Sequence, residues 1–339
     1  AWLLHVSWQA SILAGLILLV QKLSRRWISA NWLYSLWLLL LLRLVLPVSP
    51  PSDFSIFNIL HSDFWEQNLW QPASQQPEQA VAVSGGAVDF AAGGTMPGQQ
   101  NTTSGMLHQF PLPAVLTIIW LLVAFCLLAR TVFRNIAMLR DIRKVRLFID
   151  PHMLNVLEDC KSEMQMHVPV SLVVSDKISS PALLGFIRPR LLLPPSFSEK
   201  FSPAELRYIF LHELAHIKRM DIFVNWLVSV LQIVYWFNPV LWLAFRRLRA
   251  DMEIACDALV LSSQRASEHR AYGQTILKAL EFSAKPAVLP GAVGLLEDKF
   301  FLTARIAHIK RTPRQKKKSP LLAIALLAIV GLTAVTDAR

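Results

Sequence analysis

Long apolar runs alternate with charged stretches along this 339-residue chain. A helix needs about 20 mostly apolar residues to cross a bilayer, and four runs meet or approach that length: 1–20, 28–48, 112–129 and 319–336. The second holds Arg43 towards one end, where its side chain can snorkel or pair. Trp2, Trp8, Trp27, Trp32 and Trp37 lie in or beside the first two runs, as interfacial anchors do. The opening run has no basic leader and no small-residue cleavage site, so it reads as a membrane helix rather than a signal peptide. Between the third and fourth runs the pattern changes. Residues 149–166 predict a helix, "VPVSLVVSD" (168–176) a strand, and "PALLGFIRPRLLLP" (181–194) two strands around a turn. In "SPAE" (202–205), Ser202 is an N-cap, Pro203 takes the first helical position and Glu205 closes a capping box. The helix so opened ends near Arg219. A 24-residue stretch without a formal charge, 222–245, then passes the hydropathy test for a further span.

Composition supports the membrane reading, with 54% hydrophobic residues and 11 tryptophans. The net charge of +11 matters less than its placement: 29 of the 34 Lys and Arg fall between Arg130 and Lys318. Lys22, Arg25 and Arg26 fill the first connection, whereas residues 51–111 contain neither Lys nor Arg. Basic loops stay cytoplasmic, so the amino terminus lies outside and residues 130–318 form one cytoplasmic domain. Residues 51–111, rich in Gly, Ser, Gln and Pro, read as an exterior flexible loop. The run "KRTPRQKKK" (310–318) is explained by topology and anionic lipid. No recognised nucleic-acid motif is present, so no direct nucleic-acid partner is expected. Cys126, Cys160 and Cys256 have no paired or metal-type spacing, which suits a reducing compartment.

The chemistry lies in "FLHELAHIKRMD" (210–221). Two histidines four apart on a helix, His212 and His216, share one face and can reach one zinc ion. Glu213 beside them is the general base, while zinc acidifies water and stabilises a developing oxyanion. A catalytic zinc site takes three protein ligands, and "DMEIACDALVL" (251–261) offers the third. Glu253 can ligate, and Asp257, four residues on, can accept the other ring N–H of a ligand histidine, His212. His269, Arg265 and Tyr272 are candidate oxyanion donors. Strand 181–194, with Leu183, Leu184, Gly185 and Phe186, is the candidate edge for a substrate added as a strand.

The zinc hypothesis also decides residues 222–245. A single crossing would put His216 and Glu253 on opposite sides of a bilayer about 30 Å thick, whereas one ion needs its ligands about 2 Å away. Asn238-Pro239 breaks the segment, and Arg246, Arg247 and Arg249 mark a cytoplasmic return. The expectation is a broken helical pair, buried in the domain or dipping into the bilayer.

Taken together, "PALLGFIRPRLLLP", "FLHELAHIKRMD", "WFNPVLW" and "EIACDALVL", in that order, with three helices before them and one after, resemble the BlaR/MecR family of membrane zinc peptidases. The resemblance implies a mainly α integral membrane protein of the bacterial inner membrane. Four transmembrane helices would accompany a cytoplasmic gluzincin-like α+β domain with a small β-sheet. It implies His212, His216 and Glu253 as zinc ligands and Glu213 as base. It further implies that an exterior signal activates cleavage of the protein itself or of a cytoplasmic transcriptional repressor. Antibiotic sensors of this type carry a penicillin-binding domain with a Ser-x-x-Lys motif after the last helix, whereas these residues end three beyond it. The reading therefore covers the peptidase and not beta-lactam recognition. Two other classes compete: a housekeeping membrane-surface protease similar to the Ste24/HtpX group, and a non-catalytic zinc-binding receptor. "WFNPVLW" and "CDALVL" favour the sensor family over the first, and the intact Glu213 disfavours the second. The oligomeric state is open.

Overall fold

A computed structural model describes residues 2–25, 27–46, 112–144, 150–185, 187–195, 197–282, 293–294, 299–311 and 320–334. The expected loop at 51–111, Phe186, and residues 312–318 of the basic run lie outside these. The described chain is mostly helical with one small sheet.

Helices α1 (Trp2–Ser24) and α2 (Ala30–Val45) pack antiparallel. The fully buried Ala10, Leu13, Ala14 and Ile17 form one stripe of α1 at helical spacing, and Leu36, Trp37 and Leu40 answer it from α2. Arg43 is buried and donates to Gln9 of α1. A charge in an apolar helix is tolerated when it finds such a partner.

Two described stretches are long and apolar enough to span a membrane, Leu3–Ser24 in α1 and Leu112–Asp141 in α3 (Leu112–Lys144). The other two expected spans are shorter than 28–48 and 319–336: α2 has 16 residues and α11 (Pro320–Ala334) has 15. The cause is visible at α2. Leu46 precedes Pro47, whose ring disfavours helical geometry in its neighbour, and Leu46 duly turns extended at φ −78°, ψ 118°. Helix α3 buries none of its apolar stretch and exposes Leu116, Phe125 and Phe133.

The remaining elements build the domain between α3 and α11. Asp150 caps α4 (Pro151–Glu163), accepting from the His152 amide. Strands β1 (Ser171–Val174), β2 (Ala182–Leu184), β3 (Arg190–Leu193) and β4 (Val293–Gly294) form a sheet in the order β1-β3-β2-β4. β1 runs parallel to β3, with Leu172 opposite Leu191, and β2 antiparallel, with Leu183 opposite Leu191. The expected substrate edge includes Leu183 and Leu184, and at Leu183 that edge is paired. The free side of β2 is taken by β4, with Val293 opposite Leu183 and Gly294 opposite Ala182. An apolar edge strand left bare is a liability that chains cover, and a segment over a hundred residues downstream does so. Gly185 lies past the strand at φ +82°, where a Cβ would stand 3.2 Å from the Arg188 carbonyl oxygen. It is a turn residue, not a pairing one.

After a short α5 (Phe197–Lys200) come α6 (Pro203–Lys218), α7 (Asp221–Val234), α8 (Pro239–Ser263), α9 (His269–Phe282) and α10 (Lys299–Arg311). The capping box of α6 is complete; such caps contribute about 1 kcal/mol. Residues 222–245 are broken as the proline requires: α7 stops at Val234, and Asn238 opens α8 by accepting from the Val240 and Leu241 amides. Asn238 also donates to the Ser7 and Ser11 hydroxyls at 2.6 and 2.8 Å, in the first turns of α1. Tyr235 reaches the Leu44 carbonyl at the end of α2. At the other end of the hairpin, Asp251 meets Trp37 and Arg25. The α7–α8 hairpin therefore lies along most of the α1–α2 pair. Helix α8 is the central element, packed against α1, α2, α6, α7 and α10.

Candidate active site

Helix α6 supplies His212, Glu213 and His216, and α8 supplies Glu253 and Asp257; all five are buried. The imidazoles of His212 and His216 stand perpendicular with centroids 4.9 Å apart, as the four-residue spacing dictates. The Glu253 carboxylate closes the third side, one oxygen 3.2 Å from His212 Nε2 and the other 3.4 Å from His216 Nε2. Ligand atoms of the three residues lie within 4.8 Å of one another.

Each ring is fixed from behind. His212 Nδ1 faces Asp257 Oδ1 at 3.3 Å and the Tyr272 hydroxyl at 3.0 Å, and Tyr272 donates to the same Asp257 oxygen at 2.6 Å. His216 Nδ1 faces Asp221 Oδ2 at 3.0 Å. A carboxylate behind a ligand histidine sets its tautomer and raises its basicity, so both Nε2 atoms are left to point at Glu253. Asp221 can fold back on His216 because α6 turns into α7 at Met220, which adopts the left-handed conformation (φ 58°, ψ 29°). For a residue with a Cβ that conformation costs about 1 kcal/mol or slightly more.

Two participants escaped the sequence reading. Asp221 had a signal, since it ends the motif segment directly after the helix. Arg305 had none within reach of a spacing argument, being 48 residues from the Asp257 it binds. Fully buried on α10, Arg305 donates to both Asp257 oxygens at 2.9 Å and pairs with Glu253 at 3.2 Å. This two-pronged geometry is the strong form of an arginine–carboxylate contact. Of the three candidate oxyanion donors, Tyr272 is engaged behind His212, and His269 faces the Leu261 carbonyl. Arg265 is exposed.

The electrostatics favour a divalent cation. The buried carboxylates of Asp221, Glu253 and Asp257, with the Glu213 carboxyl beside them, outnumber the two arginines that face them, Arg305 and Arg219. Among the described residues, both Glu213 oxygens and His216 Nε2 are buried without a hydrogen-bond partner, an arrangement that polar groups avoid unless something else fills the space. Burial works against charging His212, but its bonds to Asp257 and Glu253 outweigh that and lift its pKa to about 9. Burial also opposes ionisation of Glu253 and Asp257. The charges of His216 and Arg305 around Glu253, and of Arg305 and His212 around Asp257, hold both carboxyls well below their usual range. Glu213 goes the other way: burial pushes it up to about 7, near the strength useful to a general base at neutral pH.

A second donor group, His216 Nδ1 with Asp221 and Cys256, shares the same histidine. It fits a cation less well. Asp221 Oδ2 already receives Cys256 Sγ at 3.0 Å and Arg219 Nε at 3.1 Å. Burial and the Asp221 charge push the Cys256 thiol well above its ordinary pKa.

The family described as BlaR1 peptidase M56 matches residues 1–309. The chain is 28% identical over 329 residues to the regulatory protein BlaR1 of Bacillus licheniformis, covering 94% of this chain and 53% of that protein. It is 26% identical over 264 residues to the methicillin resistance mecR1 protein of Staphylococcus aureus, covering 77% and 43% respectively. With the BlaR1 regulatory protein of Staphylococcus aureus it shares 22% over 330 residues, 96% of this chain and 53% of that protein. The chain thus spans about half the length of the curated relatives it matches.

Proposed function

Because the chain belongs to the BlaR1 peptidase M56 family, a metallopeptidase family, we propose that it is a membrane zinc endopeptidase that relays an exterior signal by cleaving itself or a cytoplasmic regulatory protein such as a transcriptional repressor. The observation that carries the reading is the convergence of His212, His216 and Glu253 on one point beside the unpartnered carboxylate of Glu213. The names of the relatives, a regulatory protein and a methicillin resistance protein, support a regulatory role.

In this reading His212, His216 and Glu253 hold zinc and leave a position open, as catalytic sites do. Bound there, zinc acidifies water and polarises the scissile carbonyl. Glu213 takes the proton of the attacking water and returns it to the departing amide nitrogen. Asp257 with Tyr272 orients His212, Asp221 orients His216, and Arg305 holds Glu253 and Asp257 in register.

The charge map supports an outside amino terminus and a cytoplasmic peptidase domain, with α1, α2, α3 and α11 as membrane helices. The length of the α7–α8 hairpin along α1 and α2 supports a pair that enters the bilayer from the cytoplasmic side and returns, leaving the active site at the inner surface. The side of β2 away from β3 is a poor place for substrate while β4 pairs with it. A substrate added as a strand there has first to displace that segment.

The test is a comparison of whole-proteome cleavage products from cells expressing the parent chain and its Glu213→Ala form. Products that depend on Glu213 are expected, and identical fragment patterns would remove the peptidase reading.

A further inference from the structure

Three side chains on α2, spaced three residues apart and so on one side of the helix, reach the segments that carry the metal-binding side chains. Asn31 Oδ1 accepts from Arg219 Nη1 at 2.9 Å. The Arg219 guanidinium lies over the Tyr34 ring, 4.5 Å from its centroid, and the Tyr34 hydroxyl faces Asp221 Oδ1 at 3.4 Å. Trp37 Nε1 donates to Asp251 Oδ2 at 2.9 Å. Asp221 is the carboxylate behind His216, and Asp251 precedes Glu253 by two residues. Tyr34, Trp37, Asp221 and Asp251 are all buried.

The contacts to Asp221 are unevenly shared. His216, Arg219 and Cys256 all address Oδ2. Tyr34 faces Oδ1. A contact on each oxygen opposes rotation of the carboxylate about its Cβ–Cγ bond and favours the orientation that aims Oδ2 at His216 Nδ1. Without Tyr34 that rotation is opposed from one side only.

We propose that Tyr34 is a positioning residue for the metal centre, acting through Asp221 on His216, and that α2 is the element through which a displacement within the membrane reaches the metal ligands. An axial shift of α2 by one residue, about 1.5 Å, is enough to break a contact already at 3.4 Å. Between His216 and Asp221 the chain turns at Met220, which holds the left-handed conformation at φ 58°. The proposal rests on the zinc-peptidase reading, and supplies it with a route from membrane helix to catalytic ligand.

The experiment uses the full chain in lipid nanodiscs, loaded with zinc and titrated with a chelator, alongside cleavage kinetics on a substrate whose turnover needs Glu213. Tyr34→Phe removes the hydroxyl alone. The expected result is zinc loss at about tenfold lower chelator and a kcat about tenfold lower with KM unchanged, the lower end of what outer contacts to metal ligands contribute. Asp221→Asn is expected to lose at least as much, and adding Tyr34→Phe to it should change nothing further, because the two act in series. Leu40→Ala, a buried α2 change outside these contacts, should lower the melting temperature without shifting the chelator curve. Parent-like zinc retention in Tyr34→Phe, losses that add in full to those of Asp221→Asn, or the same chelator shift in Leu40→Ala would each overturn the proposal. A parent that binds zinc but shows no Glu213-dependent cleavage would sink the peptidase reading alone, since the chelator titration reads the coupling without turnover.

Discussion

Replacing Arg305 by Met removes a guanidinium that bridges Asp257 at 2.9 Å and Glu253 at 3.2 Å while roughly preserving side-chain volume. At these separations each charge pair is worth roughly 5 kcal/mol at an effective dielectric constant near 20, against which the desolvation of three buried charges must be set. The more dependable magnitude is that for breaking a buried pair by deleting one partner, about 3–5 kcal/mol, because the remaining carboxylates stay buried and uncompensated. For a domain of roughly 150–250 residues that corresponds to a fall in melting temperature of about 6–20 °C. The assay is thermal unfolding of the purified chain in detergent, with and without saturating zinc. Without zinc the whole loss should appear; with zinc, the dication offsets part of the exposed negative charge and the loss should shrink. Arg305→Lys keeps the charge but not the two-pronged geometry, and should fall between. A drop below about 1 kcal/mol in Arg305→Met without zinc, or an equal drop with and without it, would refute the account of Arg305 as the counter-ion of the site.

Asp221→Asn should weaken zinc retention and lower cleavage about 10–100-fold, measured by chelator competition and peptide turnover. Glu213→Gln should retain zinc while cleavage falls about 10²–10⁴-fold. In the metal-free protein the same substitution reports linkage. Burial raises the Glu213 carboxyl from its ordinary 4.5 to about 7, so the stability it contributes is fully present below about pH 4.5 and lost as pH rises through 7. The melting temperature of the parent should therefore fall relative to that of Glu213→Gln between these values, and parallel pH curves would contradict the placement of that carboxyl. Met220→Gly places at φ 58° a residue that adopts this conformation freely; melting should be unchanged or raised by up to about 1 kcal/mol, whereas Met220→Ile should lower it by about as much or more.

What the chain's letters reveal depends on the range over which each effect acts. Capping at Ser202 and Asn238, the helix break before Pro239 and the shared face of His212 and His216 are local events, legible from spacing and residue type. Glu253 is offered as a third ligand by its place four residues before Asp257 in an otherwise apolar helix, and the distance a metal imposes then argues against a single membrane crossing at 222–245. Arg305 and Tyr34 were not legible. Each meets the site over long sequence separations, 48 residues from Asp257 and 187 from Asp221, through packing that leaves no periodic trace. The pairing of β4 was hidden for the same reason: β2 and β3 form a local hairpin, but the two residues that pair with β2 arrive from position 293 with no pattern of their own. Hydropathy likewise gave apolar runs of spanning length, while Pro47 set where α2 stops.

The central claim, that His212, His216 and Glu253 hold a catalytic zinc ion, is tested most directly by zinc X-ray absorption on the purified chain and its Glu253→Ala form. The account predicts one zinc per chain, two imidazoles and a carboxylate oxygen at about 2.0–2.2 Å, no sulfur neighbour, and loss of zinc in the variant. Undiminished zinc in Glu253→Ala, or a sulfur neighbour near about 2.3 Å marking Cys256 as a ligand, would contradict it.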